Sequence, residues 1–163
     1  MPFSTDANWP QGLLNIFNIS RMQNMAVKSR YYGPYDRLFN YALIDGSFTF
    51  FLAPQTAPDE TSPHDAVDFV FFMVVLSQEQ KPVLIADIKD DRWVNVPEKR
   101  QRADTQMRQH YDQMLPNCPI PCLYGLSLLG TSLRIYCGDK ATGEVTPHFI
   151  GRPYVNRILP SGI

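Results

Sequence analysis

The chain has 163 residues, of which 44% are hydrophobic and 12% aromatic, so it can bury a sizeable core. It carries 15 Lys and Arg against 16 Asp and Glu. The resulting net charge of −1 is not the electrostatic footprint of a protein that binds duplex DNA avidly by itself. The sequence shows no repeat and no low-complexity tract, which predicts one domain over residues 1–163.

Targeting signals and cysteine content indicate in which cellular compartment the protein is expected. The start of the chain lacks a secretory leader pattern, and no apolar stretch reaches the roughly 18 residues that a membrane span needs. We therefore expect an intracellular protein, cytoplasmic or nuclear, with no membrane partner. The odd number of cysteines predicts structural thiols instead of a disulfide framework, and without a nearby His they do not form a zinc site. These cysteines are Cys118, Cys122 and Cys137.

The first half of the chain predicts two helices and a strand. Residues 1–30 form a helical extension on the core through their apolar residues, which are Leu13, Leu14, Phe17 and Ile19. A second helix begins at Gly33-Pro34 and ends at Asp45-Gly46, because Pro favours a first helical turn and Asp-Gly a turn. A strand over residues 47–53 follows, and the proline-rich residues 54–63 predict a surface loop.

Two apolar runs, residues 69–76 and 82–88, have the length and composition of strands covered on both faces. The short polar segment between them predicts an antiparallel hairpin in which Val70 lies opposite Asp87 and Asp68 lies opposite Lys89. Paired residues and residues two apart share a face, so Asp68, Asp87 and Lys89 should project from the same side. The two carboxylates would then lie roughly 5 to 7 Å apart. A loop one residue longer or shorter would destroy this arrangement.

The second half predicts one long helix and two further strands. The helix runs from Pro97 to Leu115, and its apolar stripe is formed by Ala103, Met107, Tyr111 and Met114. Residues 121–129 and 131–137 read as strands, followed by a turn at residues 139–143. The order helix, three strands, helix, strand indicates a mixed α/β sandwich.

The charged residues at the ends of the two apolar strands suggest chemistry. Two carboxylates offer the hard oxygen ligands that Mg²⁺ or Mn²⁺ prefers, and a lysine beside them can hold a water against a phosphorus atom and neutralise developing charge. The alternative is that Asp87, Lys89 and the charged residues after them are the solvated end of a strand entering a loop.

Asp68, the apolar strand that follows it, and Asp87-x-Lys89 resemble the PD-(D/E)XK nuclease superfamily. The Tyr32-Gly33-Pro34-Tyr35 segment is also similar to that of small uncharacterised fungal members. The resemblance implies a restriction-endonuclease-like αβββαβ core over residues 31–138. It also implies catalytic roles for Asp68, Asp87 and Lys89, and metal ligation by Asp68, Asp87 and the carbonyl of Ile88.

Further residues have two readings each. Gln106 is placed to act as the helix glutamine of the superfamily, or it belongs to a solvated polar face. Asp36 is the candidate for the acidic residue of the first helix, although a carboxylate near a helix N-terminus also favours the dipole. Lys99 and Arg102 would contact nucleic-acid phosphates, or they form a salt-bridged helix surface. The sequence departs from the superfamily pattern at Val67, where proline is expected, and no Glu occurs in residues 11–45.

These observations lead to three hypotheses. The first is a Mg²⁺-dependent or Mn²⁺-dependent nuclease that hydrolyses phosphodiesters, with DNA more expected than RNA, through metal-activated water. The second is a nuclease-fold module that no longer cleaves and binds nucleic acid or a protein partner. The third is an unrelated α/β domain with a structural or interaction role. A homodimer is compatible with each hypothesis.

Overall fold

The computed structural model describes residues 6–22, 30–43, 49–56 and 71–149. Its helices are α1 (Gln11–Met22), α2 (Tyr32–Leu43) and α3 (Pro97–Met114), with short 3₁₀ turns at Asp91–Trp93 and Leu115–Asn117. Its strands are β1 (Phe50–Thr56), β2 (Phe71–Ser77), β3 (Pro82–Lys89), β4 (Cys122–Leu129), β5 (Ser132–Asp139) and β6 (Val145–Thr146). Among the helices so described, none has the length and apolar character needed to cross a membrane.

The six strands form one mixed sheet in which spatial order follows chain order, from β1 to β6. All neighbours are antiparallel except β3 and β4, which are parallel. A parallel pair requires a crossover connection, and α3 provides it. The predicted mixed α/β class is confirmed, and α2, β1, β2, β3, α3 and β4 follow one another in the predicted order. The two-residue strand β6 was not predicted.

Helices cover β3 on both faces. Alternation along this strand sends Ile85 toward α3, whereas Ala86 and Ile88 project toward α2. The α3-facing core consists of Ile85, Met107, Tyr111, Leu115, Cys118, Leu123 and Tyr136. The opposite core consists of Tyr31, Tyr35, Phe39, Ala86, Ile88 and Leu128.

The N-terminal helix packs on this second core, as predicted. Leu13 is buried, and the Phe17 ring meets the Tyr35 ring edge-on, with centroids 5.0 Å apart. Leu14 and Ile19, which were expected to pack as well, are exposed. Only one side of α1 therefore contributes to the core.

The first strand extends further than expected. The predicted surface loop began at Pro54, yet β1 continues through this residue to Thr56. In the described sheet β1 lies at an edge and pairs only with β2. An edge strand tolerates proline because the missing N–H need not face a neighbouring strand. The rest of the predicted loop, residues 57–63, lies outside the described residues.

The register between β2 and β3 differs from the prediction by two residues. Phe72, not Val70, lies opposite Asp87, and Ser77 donates a backbone hydrogen bond to the Lys81 carbonyl at 2.9 Å. A bulge between Val75 and Leu76 adjusts the pairing along the ladder. From Phe72 to Val75 the shift is an even number, so the predicted sharing of faces is preserved on the Asp87 side of the bulge. Asp68 lies outside the described residues, so its position relative to Asp87 stays a prediction.

The expectation of free thiols is wrong for two cysteines. Cys122 on β4 and Cys137 on β5 form a disulfide, with Cα atoms 6.0 Å apart. Cys137 pairs with Tyr124, two residues after Cys122, so the two cysteines are diagonal neighbours on one face of the sheet. Counting cysteines could not reveal this proximity, which follows from the register. Cys118 is free and buried.

We expect Met107→Ala to lower the free energy of unfolding by about 2–5 kcal/mol, because Met107 is fully buried between α3 and the sheet and its truncation leaves a cavity. Gln109→Ala, an exposed substitution on the same helix, should change it by less than about 0.5 kcal/mol. Urea denaturation of both variants measures the difference. Equal effects would contradict the packing of α3 described here.

Candidate functional site

Asp87 and Lys89, at the carboxyl end of β3, form an ion pair beneath α3. The Lys89 Nζ lies 3.0 Å from Asp87 Oδ1, and the side chains are 6% and 0% exposed. The two residues share a face, as predicted, because they are two apart on one strand. The alternative of a solvated strand end is wrong for both, and also for Asp90, which is buried.

Contacts on two sides of α3 fix its orientation over the sheet. Tyr111 and Met107 lie directly above Gly125 on β4, where an added Cβ would come within 2.5 Å of Tyr111 Oη and 3.1 Å of Met107 Sδ. On the flank toward β5, Asp104 Oδ1 accepts a hydrogen bond from Tyr136 Oη at 2.7 Å. Arg108 Nε donates to Asp104 Oδ2 at 3.0 Å, so this arginine belongs to a salt-bridged surface.

The opposite flank of α3, formed by Lys99, Gln106 and His110, is therefore turned toward β3. Residues at spacings of 3, 4 and 7 share a helix face. His110 is buried, and burial lowers its pKa, with Asp87 acting to raise the pKa and Lys89 to lower it. The charges of Asp87 and Lys89 thus reach this imidazole. The sequence alone predicts no role for His110, and its only signal is the spacing of four residues from Gln106.

Two buried acceptor atoms of this site, Asp87 Oδ2 and Gln106 Oε1, lack a hydrogen-bond donor within the described part of the chain. Asp87 Oδ1 is paired with Lys89. Buried polar atoms are nearly always satisfied, so such atoms call for an explanation such as a missing ion or water. Gln106 lies on the flank of α3 turned toward β3, and its contact with the carboxylate site stays a prediction.

Trp93 connects two lysines at the rim of the site. The ring is buried, and its centroid lies 5.4 Å from Lys89 Nζ and 5.8 Å from Lys99 Nζ, within cation–π range. Lys99 itself is exposed, as is Arg102. The predicted basic border of α3 therefore begins next to Lys89. Its contact with phosphates stays a prediction.

A cluster of charges anchors the turn that follows β3. Arg30 pairs with Asp90 at 2.9 Å and also with Asp91. Burial alone would raise the pKa of Asp90, but hydrogen bonds from Arg92 and the Arg30 charge lower it to about 2. Tyr31 Oη donates to Asp91 Oδ2 at 3.0 Å. Asp90 and Asp91 therefore have structural partners and hold the chain after Lys89 against the two residues that precede α2.

Gly130 closes the same turn from the other side. Its N–H donates to the Lys89 carbonyl at 2.9 Å, and its carbonyl accepts from Tyr35 Oη at 2.7 Å. Its φ of 61° lies in the left-handed region, and an added Cβ would fall 2.3 Å from Asp91 Cβ. Only glycine fits this close approach without strain.

Other predicted site residues are not brought to the ion pair. Asp36 is half-buried on α2 and accepts a hydrogen bond from Asn40 Nδ2 at 3.3 Å. The buried residues of α2 pack on the sheet face opposite Asp87. The Ile88 side chain also projects to that face, and ligation by its carbonyl stays a prediction. Within the described ranges, no three His, Cys, Asp or Glu side chains are grouped to hold a metal ion.

Gly130→Ala should lower the free energy of unfolding by about 2–5 kcal/mol, because the left-handed backbone and the overlap with Asp91 add up. Gly143→Ala is the matched control: its φ is 73°, but nothing lies within 4 Å of the added Cβ, so about 1 kcal/mol is expected. Chemical denaturation compares the two. If Gly130→Ala were no worse than Gly143→Ala, Gly130 would not be the constraint described.

Comparison with known proteins yields no match: no family model, no curated protein and no solved structure is similar to the chain. What the site can do therefore has to be inferred from its own residues. These are a buried carboxylate and a buried lysine at a strand end, with a histidine, a glutamine and a tryptophan around them.

Proposed function

We propose that the protein is a metal-dependent nuclease of the restriction-endonuclease-like type, which hydrolyses phosphodiester bonds, with DNA as the favoured substrate. The observation that carries this proposal is the Asp87–Lys89 pair: a fully buried carboxylate whose Oδ1 pairs with a buried ammonium and whose Oδ2 accepts no hydrogen bond from the described residues. The order of elements from α2 to β4 adds support.

A purely structural role explains this pair less well. Removing two charges from water costs several kcal/mol per ion, and apolar residues of similar volume would often be more stabilising. The Asp104 carboxylate accepts hydrogen bonds on both oxygens, from Arg108 and from Tyr136, whereas Asp87 Oδ2 accepts none from the described residues. Buried ionisable groups whose hydrogen bonds are incomplete are typical of functional sites.

The residues fit Mg²⁺ or Mn²⁺ on chemical grounds. Asp87 Oδ2 is a hard oxygen ligand that is buried and accepts no hydrogen bond from the described residues. Asp68 and the Ile88 carbonyl are the further ligands that we propose. When bound, the ion would stabilise charge on the phosphate and make a water nucleophilic near neutral pH.

The remaining residues have distinct roles in this proposal. Lys89, held between Asp87 and the Trp93 ring, presents a compact ammonium that orients the attacking water and neutralises charge developing on the phosphate. Gln106 helps to orient that water through its amide. Lys99 and Arg102 contact substrate phosphates along the exposed border of α3. We propose no contact with substrate for Asp36, which lies on α2.

We expect the purified protein to cleave plasmid or single-stranded DNA with Mg²⁺ or Mn²⁺ and to stop when EDTA is added. Asp68→Asn, Asp87→Asn and Lys89→Met should each lower the cleavage rate by orders of magnitude. Lys89→Arg should cleave little faster than Lys89→Met, because a planar guanidinium cannot replace the compact ammonium. Gel assays of cleavage measure these rates, and thermal denaturation confirms that each variant is folded.

Matched controls separate chemistry from charge. Asp112→Asn on the exposed side of α3 and Lys81→Met in the β2–β3 turn make the same substitutions away from the site, so they should cleave at the wild-type rate. A wild-type protein that binds the metal but cleaves none of these substrates would favour the non-cleaving binding module. Full activity in Asp87→Asn would refute the proposed centre.

The salt dependence of DNA binding tests the basic border. Lys99→Ala combined with Arg102→Ala should weaken duplex binding and reduce its log-log salt slope by nearly two, because each lost phosphate contact removes about 0.9 of slope. The control is Arg21→Ala combined with Lys81→Ala, which removes two exposed cations on other elements. Fluorescence anisotropy measures the slopes. Identical slopes in both double variants would exclude α3 as the substrate-facing surface.

A further inference from the structure

His110 lies on α3, on the flank of the helix that is turned toward β3 and the candidate site. Its neighbours Met107 and Tyr111 are locked over Gly125 and Ile85, and Asp104 is locked onto Tyr136 of β5. A helix held at these points turns the flank that contains Gln106 and His110 toward β3. Asp87 lies on β3, on the face that α3 covers.

Gln106 and His110 are four residues apart on α3, so their polar groups follow one another along a single flank. Gln106 Oε1 is buried and has no donor among the described residues, as is also true of Asp87 Oδ2. Asp87 Oδ2 therefore lies on the face of β3 that α3 covers, and Gln106 Oε1 and the buried His110 imidazole lie on the flank of α3 that is turned toward β3. Oxygen and imidazole donors in one place are a suitable environment for a transition-metal ion.

We propose that His110 is a nitrogen ligand of the divalent cation at the Asp87 site, and that it makes this site select Mn²⁺ or Co²⁺ over Mg²⁺. The inference rests on the proposed function, because it assumes that Asp87 holds a metal. Imidazole suits Mn²⁺ and Co²⁺, whereas Mg²⁺ demands oxygen ligands and keeps several waters.

The state of the imidazole agrees with this role. A histidine binds metal as the neutral ring, and the buried environment of His110 disfavours the charged form. His148, by contrast, is 67% exposed and lies 3.5 Å from Glu144 near β6. His148 therefore provides the matched control within the same chain.

The first experiment measures binding of Mg²⁺, Mn²⁺ and Co²⁺ alone to the untagged full chain by titration calorimetry and by the metal-induced rise in Tm. Wild type should bind Mn²⁺ and Co²⁺ at least about tenfold more tightly than Mg²⁺. His110→Gln should reduce that ratio by about tenfold while Mg²⁺ binding changes little, and His148→Gln should preserve it. An unchanged ratio in His110→Gln would overturn the inference.

A second measurement does not depend on how the His110 variant folds. Pulsed electron paramagnetic resonance of bound Mn²⁺ detects a directly coordinated imidazole nitrogen. The chain has 3 His, so His64→Gln combined with His148→Gln leaves His110 as the sole histidine. The nitrogen coupling should persist in this double variant. Bound Mn²⁺ without any nitrogen coupling would overturn the inference.

Asp87→Asn separates this inference from the proposed function. Both proposals are supported if Asp87→Asn binds none of the three ions and if His110→Gln still binds them but without the preference for Mn²⁺ and Co²⁺. Binding that depends on Asp87 but shows no preference for Mn²⁺ or Co²⁺ overturns the role of His110 and leaves the nuclease proposal intact. Wild-type protein that binds none of the ions overturns both.

Discussion

The coverage of β3 on both faces is the constraint on which the rest of the structure depends. With α2 on one side and α3 on the other, neither face of this central strand is open to water. Alternation places Ala86 and Ile88 in one core, and it necessarily places Asp87 and Lys89 under the opposite helix. Charges that would be solvated in a one-sided sheet are therefore buried and must find partners within the protein.

Different sides of α3 make different contacts with the sheet. Its central stripe packs on β3 and β4, and its β5 flank is tied down by Asp104 and Arg108. The contacts of Arg108 with the Val145 and Pro147 carbonyls extend this tie to β6 and beyond. These contacts fix the rotation of α3 about its own axis. Its remaining flank is consequently presented to Asp87 in one orientation, as a preorganised site requires.

The elements and the shared face were predictable from the sequence because both follow from periodicity. Alternation in the β3 run was enough to put Asp87 and Lys89 on one side, and the stripe of α3 was enough to bury Met107. The register was not predictable, because the bulge between Val75 and Leu76 has no sequence signature.

The other errors have the same origin in tertiary pairing. Pro54 predicts the end of a strand because the sequence does not reveal which strand lies at the edge of the sheet. Cys122 and Cys137 meet through the β4–β5 register, and the buried Asp90 pairs with Arg30, which lies 60 residues earlier in the chain. His110 carries no motif beyond its spacing of four residues from Gln106, so the orientation of α3 is what turns it toward β3.

The parallel pairing of β3 with β4 determines when the site can exist during folding. The β2–β3 and β4–β5 pairs join neighbours along the chain, but Leu84 pairs with Tyr124 only after the intervening helix has closed a long loop. Contacts between distant residues form late because the loop entropy must be overcome first. Asp87 lies opposite Ser127 within this late pairing. We expect the site residues to be exposed and separated in partly folded chains, so that Asp87 and the flank of α3 come together only with the final assembly of the sheet.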